Sequence, residues 1–111
     1  MASDLGHAGL QALVQAVNVE WSADAVADLD RFAGFLQSRF PTMAQIVGRE
    51  IARKVDLLVQ RPELGRPLSA HRDRRQIVVR VLNASYIVQY RLLADRLVIL
   101  RVFHGREARD R

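Results

Sequence analysis

The residues of this chain most suited to chemistry gather near its C-terminal end. In RVFHGREARDR, residues 101–111, an apolar run stops at Phe103, a His-Gly pair follows, and four arginines share the eleven residues with two acids. His104 belongs to the one side-chain type that titrates in the neutral range. Arg106 presents a planar, permanently charged fork that matches phosphate or carboxylate. The segment RPELGRPLSAHRDRR, residues 61–75, adds five more arginines, among them Arg66, Arg72, Arg74 and Arg75. Such residues can hold nucleic acid or an acidic protein segment. Proton transfer is a harder fit. Arginine, with a pKa above about 12, is a poor general base, and His7, His71 and His104 stand at no spacing that pairs an acid with a base. The chain has no cysteine, which removes disulfides and Cys-based zinc sites. No metal site and no cofactor are expected.

The charge is unevenly placed. Residues 1–30 carry five acids and no Lys or Arg, residues 31–60 five bases and two acids, and residues 61–111 twelve arginines and five acids, blocks of −5, +3 and +7 within the net +5. A basic C-terminal half behind an acidic lead implies an anionic partner for one face. At 111 residues, 50% hydrophobic and 26% charged, the chain has the profile of a single soluble domain with its own core. No apolar run approaches the roughly 18–20 residues of a membrane span. The first 30 residues offer no basic n-region for a secretory signal. A cytoplasmic protein without membrane contact is expected.

Several elements must position these groups. Residues 1–16 read as an N-terminal extension, with Leu10, Leu13, Val14 and Val17 at the spacing of a short helix. VNVEWS (17–22) alternates as a half-buried strand, with Trp21 as a core anchor. Ser22 stands where an N-cap belongs, and Asp24 and Asp28 follow in the opening turns, where the helix dipole favours acids. A helix with the stripe Ala25, Leu29, Phe32, Ala33, Leu36 and Phe40 runs to Pro41. A second, with Ala44, Val47, Ile51, Val55 and Leu58, runs from Pro41 to Pro62. Two helices so tightly joined form an antiparallel hairpin. After the arginine-rich loop, in which Gly65 is expected to supply the unusual backbone angle of a turn, come strands at about 76–82, 86–93 and 97–103, linked by hairpin-length turns. The order β-α-α-β-β-β predicts an α+β domain with the helical hairpin on one face of an antiparallel sheet.

Alternation sorts the two faces of that sheet. Ile77, Val79, Val81, Tyr86, Val88, Tyr90, Val98, Leu100 and Val102 form the more uniformly apolar set and are expected to face the helices, which makes Tyr86 and Tyr90 core residues. Val78, Arg80, Leu82, Ile87, Gln89, Arg91, Leu97, Ile99, Arg101 and Phe103 fall on the other face. Three arginines among exposed aliphatics suit a face that something covers.

The order of elements, with VEWS leading into ADAVADLDRF, the RPELGRP loop, SYIVQYRL and LVILRVFHGRE, resembles the RelE/ParE superfamily of toxins from type II bacterial toxin–antitoxin pairs. The resemblance covers about residues 17–109, and the ending ILRVFHGRE is most similar to the ParE branch. It divides the chain into an extension (1–16), a toxin domain (17–106) and a charged tail (107–111). RelE-like members are ribosome-dependent mRNA endoribonucleases, whereas ParE-like members inhibit DNA gyrase. The RelE branch works without metal through basic residues of the concave sheet face, one of them an arginine directly after a tyrosine. Here Ile87 follows Tyr86, so that arginine is missing. Of two second-strand lysines, one is matched by Arg80 and the other by Val78, and the C-terminal arginine is matched by Arg106.

Cleavage of RNA through its 2′-hydroxyl would need a proton acceptor, a proton donor and cations for the developing charge. That leaves Arg80, Arg106 and His104 as the catalytic candidates, and alternation sends His104 to the helix side with Val102. The resemblance thus implies a non-enzymatic, ParE-like gyrase inhibitor, with target contacts sought at Arg106, His104, Arg74 and Arg75. A RelE-like mRNA endoribonuclease acting on the ribosome is the alternative, and an inactive antitoxin-binding member is a third. In this family the antitoxin wraps the toxin with an amphipathic, usually acidic C-terminal segment. The face with Arg80, Ile87, Gln89, Arg91, Ile99, Arg101 and Phe103 is expected to receive it, giving a toxin–antitoxin hetero-oligomer.

Overall fold

In the computed structural model residues 18–71 and 73–108 are described. The expected extension, Arg72 and the chain beyond Ala108 lie outside them. Strand β1 (Asn18–Trp21) leads to helices α1 (Ala23–Arg39) and α2 (Pro41–Gln60). A short 3-10 turn (Pro62–Leu64), strands β2 (Arg66–Pro67), β3 (Arg74–Val81), β4 (Ala84–Leu92) and β5 (Arg96–His104), and a helical turn α3 (Gly105–Ala108) follow among the described residues. The sheet order is β1-β5-β4-β3-β2. β3, β4 and β5 form the expected antiparallel meander. β1 joins β5 in parallel, so the sheet is mixed, and the two-residue β2 adds an edge to β3. The α+β architecture is as the sequence predicts.

Local chemistry sets the helix bounds. Ser22 is extended and its Oγ accepts from Ala25 N–H at 3.0 Å, capping α1. The same hydroxyl donates to Leu100 O at 2.8 Å, which ties the cap to β5. Pro41 opens α2, where its missing N–H costs nothing. Val47, Ile51, Val55 and Leu58 lie along one face of α2 and are buried with Val79, Val81, Val88 and Tyr90 of the sheet. Burying a side chain the size of Leu58 stabilises by roughly 1.5–3 kcal/mol. The α1 stripe is less uniform: Phe40 and Ala33 are exposed, and Asp28 is buried.

Strand β5 departs from simple alternation. Gln89 pairs with Arg101 but Tyr90 pairs with Ile99, so Leu100 is an extra residue opposite the Gln89–Tyr90 step. That bulge reverses the faces of the residues before it. Leu97 and Ile99, expected on the open face, are fully buried in the core, while Val98 and Leu100, expected in the core, are only half-buried. After the bulge the predicted parity holds, with Val102 in the core.

Gly65 is required by space and not by backbone angle. Its φ and ψ are −73° and 153°, open to any residue. A Cβ there would collide with the Tyr90 hydroxyl and stand 2.9 Å from Gln76 O.

Candidate functional site

The end of β5 is assembled from three directions. His104 pairs with Tyr86 across the β4–β5 ladder, and their rings meet edge-on with centroids 5.4 Å apart. Tyr86 in turn meets Phe32 of α1 edge-on at 5.5 Å. His104 is thus on the helix side, as alternation predicts. Its Nδ1 accepts the Arg106 N–H at 3.1 Å. Gly105 packs so close to Ser85 that a Cβ would stand 2.5 Å from Ser85 Oγ, and the chain then turns into α3.

Around this end lies an open groove of about 910 Å³, lined by Arg31, Phe32 and Phe35 of α1, Met43 of α2, the β3–β4 turn, His104 and Arg106. Phe35 is 54% exposed and Leu82, in the turn, 69%. Leu82 has φ 53°, in the left-handed region. Arg31 and Arg39 stack on the rings of Phe32 and Phe35.

The opposite face of the sheet carries a second hollow of about 570 Å³, between residues 68–71 and the strands, lined by Arg74, Gln76, Ile87, Gln89, Arg101 and Phe103 among others. Arg74 lies across from Arg91, and Gln76 across from Gln89. Two of this face's cations are neutralised from within the chain. Arg91 Nε is 3.1 Å from Asp73 Oδ2, and Arg101 makes a two-point pair with Asp28 of α1. Burial pushes the Asp28 carboxyl up, but hydrogen bonds from Arg101 and Val102 and the charges of Arg101 and Arg31 outweigh it and leave the group below its ordinary range. Phe103 is buried, with the Arg101 guanidinium 4.7 Å from its ring centroid.

Several expected contacts find different work. Arg75 does not face outward: its guanidinium donates to Gly65 O at 2.7 Å and Glu63 O at 3.2 Å, clamping the loop before β2. Tyr90 does the same from within the core, accepting from Gly65 N–H at 2.8 Å and donating to Pro62 O. Burial raises the pKa of both Tyr86 and Tyr90. Ile99 lies in the core and cannot belong to an open docking face. Arg74, Arg80, Ile87, Gln89, Arg91, Arg101 and Phe103 do share the open side. His104 and Arg106 come together on the helix side, with Arg80 on the other. The groove residues Arg31, Phe35 and Met43 stand outside the sequence candidates, and Leu82, expected on the open face with Arg80, instead sits in the β3–β4 turn and lines the groove. A leucine at a two-residue turn, where Asn or Gly is usual, is the signal that marks them. Among the described residues no group of three or more His, Asp or Glu is placed to hold a metal ion, and no helix is long and apolar enough to cross a membrane.

Comparison with known proteins accords with this geometry. The model of the family described as ParE toxin of type II toxin-antitoxin system, parDE, matches residues 19–109. A protein of Caulobacter vibrioides named Toxin RelE1 is 31% identical over 88 residues, covering 79% of this chain and 92% of that one. Toxin RelE3 of the same organism is 32% identical over 92 residues, covering 83% and 98%. The fold matches a chain from the chromosomal ParDE system of P. aeruginosa with a TM-score of 0.64 and 22% identity, covering 79% of this chain and 95% of that one.

Proposed function

Because this chain belongs to the family of ParE toxins of type II toxin–antitoxin systems, we propose that it arrests growth in the cytoplasm as a binding inhibitor of DNA gyrase, acting through the end of β5, and that a cognate antitoxin neutralises it. The observation that carries this reading over catalysis is the division of the would-be catalytic set. Arg80 lies on the open face, while His104 and Arg106 line the groove on the other side of the sheet. The groove that holds His104 and Arg106 does not include Arg80. His104 Nδ1 is engaged by the Arg106 N–H, which favours a packing role for the ring over catalysis. A binding inhibitor needs neither acid nor base. It needs a surface with an exposed cation set among apolar side chains, and Arg106 beside Phe35 and Leu82 has that character. The P. aeruginosa neighbour is part of a ParDE system, which supports an antitoxin as partner.

The test is gyrase supercoiling with the purified chain, together with the DNA damage response on induction. Loss of supercoiling and induction of the response are expected. Unimpaired supercoiling with new 5′ ends on cellular mRNA by primer extension would overturn the reading in favour of a RelE-like ribonuclease.

A further inference from the structure

β5 ends on His104, and the next four residues, Gly105–Ala108, leave the sheet as the helical turn α3. His104 therefore stands where the N-cap of that turn belongs. Its Nδ1 accepts the N–H of Arg106, the second residue of the turn, at 3.1 Å. A first-turn N–H has no partner within its own helix and is left to a side chain or to water. Histidine is not among the preferred capping residues, which are Asn, Asp, Ser and Thr. What suits it to this place is its ring, which the core holds. Phe32, Tyr86 and His104 meet edge-on in series, with centroids 5.5 and 5.4 Å apart. Tyr86 is buried, and Phe32 packs against the core from α1. The series runs from α1 through β4 to the nitrogen that faces the Arg106 backbone. Gly105 confines the chain from the other side, since a Cβ there would stand 2.5 Å from Ser85 Oγ of β4. The exposed Arg106 side chain then reaches the rim of the groove.

We propose that His104 is a positioning residue: it caps α3 through Nδ1 and so presents Arg106 to the target in one orientation, without itself touching the target. A single helical turn is too short to hold itself in water. An arginine on an unheld turn must be ordered at the moment of contact, which weakens binding. The ring series from Phe32 aims the acceptor, and the acceptor aims the arginine. The inference rests on the reading of the end of β5 as the surface that inhibits gyrase.

Two substitutions separate the acceptor from the ring. His104→Asn keeps an acceptor of the preferred capping type and removes the ring. His104→Phe keeps a ring edge for Tyr86 and removes the acceptor. Thermal unfolding of each purified full chain verifies its fold. Supercoiling inhibition is titrated for each variant, alone and combined with Arg106→Ala, and growth arrest is followed at matched expression. His104→Phe is expected to need about tenfold more chain, as Arg106→Ala does, and His104→Asn less than about threefold more. In the Arg106→Ala background His104→Phe should add less than about twofold, because its effect passes through Arg106. A His104→Phe chain as potent as the parent overturns the assignment. So does a His104→Asn chain as weak as His104→Phe, or losses that multiply in the double variant. Amide hydrogen exchange at Arg106 reads the cap without any target. Exchange about tenfold faster in His104→Phe than in the parent and His104→Asn is expected, and equal exchange in all three overturns the cap. A parent chain that protects this amide but inhibits neither supercoiling nor growth keeps the cap and loses the toxin reading.

Discussion

Asp28 and Arg101 form a two-point ion pair across the edge of β5, with Arg101 Nε 2.9 Å from Oδ2 and Nη2 3.0 Å from Oδ1. β1 covers that edge only as far as Ile99. Beyond it, Asp28 takes over, and its Oδ2 also accepts the Val102 N–H at 2.8 Å. One carboxylate therefore fastens helix to strand where the strand partner ends. Replacing it with Ala should lower the unfolding free energy by about 2–4 kcal/mol. Arg101, with 30% of its side chain exposed, can turn to water, whereas Asp28 and the N–H it holds are buried. The backbone group is the larger loss. Urea denaturation of Asp28→Ala beside the parent measures it.

The same pair sets a pH dependence whose sign follows from its direction. Despite burial, the Asp28 carboxyl is held below its ordinary 3.8 by Arg101, Val102 and Arg31. A group with a depressed folded pKa stabilises fully above its unfolded value, and that contribution is lost as pH falls through the folded one. Urea midpoints from about pH 6 to about pH 2 should therefore fall more steeply for the parent than for Asp28→Asn. The gap between them should be widest at the upper end and close toward the lower. A gap that stays constant would mean another group carries the effect.

Tyr90 and Gly65 are coupled by one hydroxyl. It accepts the Gly65 N–H and donates to Pro62 O from inside the core. Tyr90→Phe removes both bonds and should cost about 1–3 kcal/mol. Gly65→Ala drives a Cβ into that oxygen and should cost about 1–3 kcal/mol by overpacking. In the Tyr90→Phe background the oxygen is gone and the freed ring can shift, although its Cε1 at 2.6 Å and Gln76 O at 2.9 Å still crowd the Cβ, so the alanine should cost somewhat less. The double variant is then more stable than the sum of the singles implies, which a denaturation cycle reads directly.

Leu82 offers the opposite sign. Leucine in the left-handed region costs roughly 1–2 kcal/mol, and this one, being 69% exposed, recovers little by burial. Leu82→Gly relieves the angle but gives the unfolded chain more freedom to lose. The net should be a gain of up to about 1 kcal/mol, seen as a higher melting temperature. A lower one would mean that the side chain packs more than its exposure suggests.

Much of this architecture is legible in the residues. The Ser22 cap, the Pro41 break and the Val47–Leu58 stripe announce the helical hairpin, and alternation places β3, β4 and the end of β5. Parity fails over residues 97–100 for a definite reason. Alternation assumes an unbroken ladder, and one extra residue, Leu100, reverses every side chain before it without any glycine to announce it. Asp28 reads in the sequence as an acid favoured by the helix dipole. Its place on the buried stripe, one turn after Ala25 and one before Phe32, is the signal of its role. Arg75 is legible in principle, since it alternates with Ile77 and Val79 toward the helix side. The groove is not, because it joins α1, α2, a turn and the C-terminal end, and no single segment contains it.

The decisive variants are Arg106→Ala and Arg80→Ala, because Arg106, in the turn after β5, lines the groove and Arg80 projects from the open face of the sheet. Both residues are exposed, so each side chain can be removed with little effect on stability. An exposed arginine at a protein contact is worth more than about 1 kcal/mol when it anchors binding, close to a tenfold change in affinity. At matched expression, Arg106→Ala should raise the level of chain needed to stop growth, and to inhibit supercoiling, by about tenfold. Arg80→Ala should change neither by more than about twofold. Cleavage of mRNA by the RelE-matched residues predicts that Arg80→Ala loses toxicity as well, since Arg80 would then stand beside the phosphate. If Arg106→Ala stays fully toxic while Arg80→Ala loses its toxicity, the toxic surface is the open face of the sheet and the end of β5 serves only the fold.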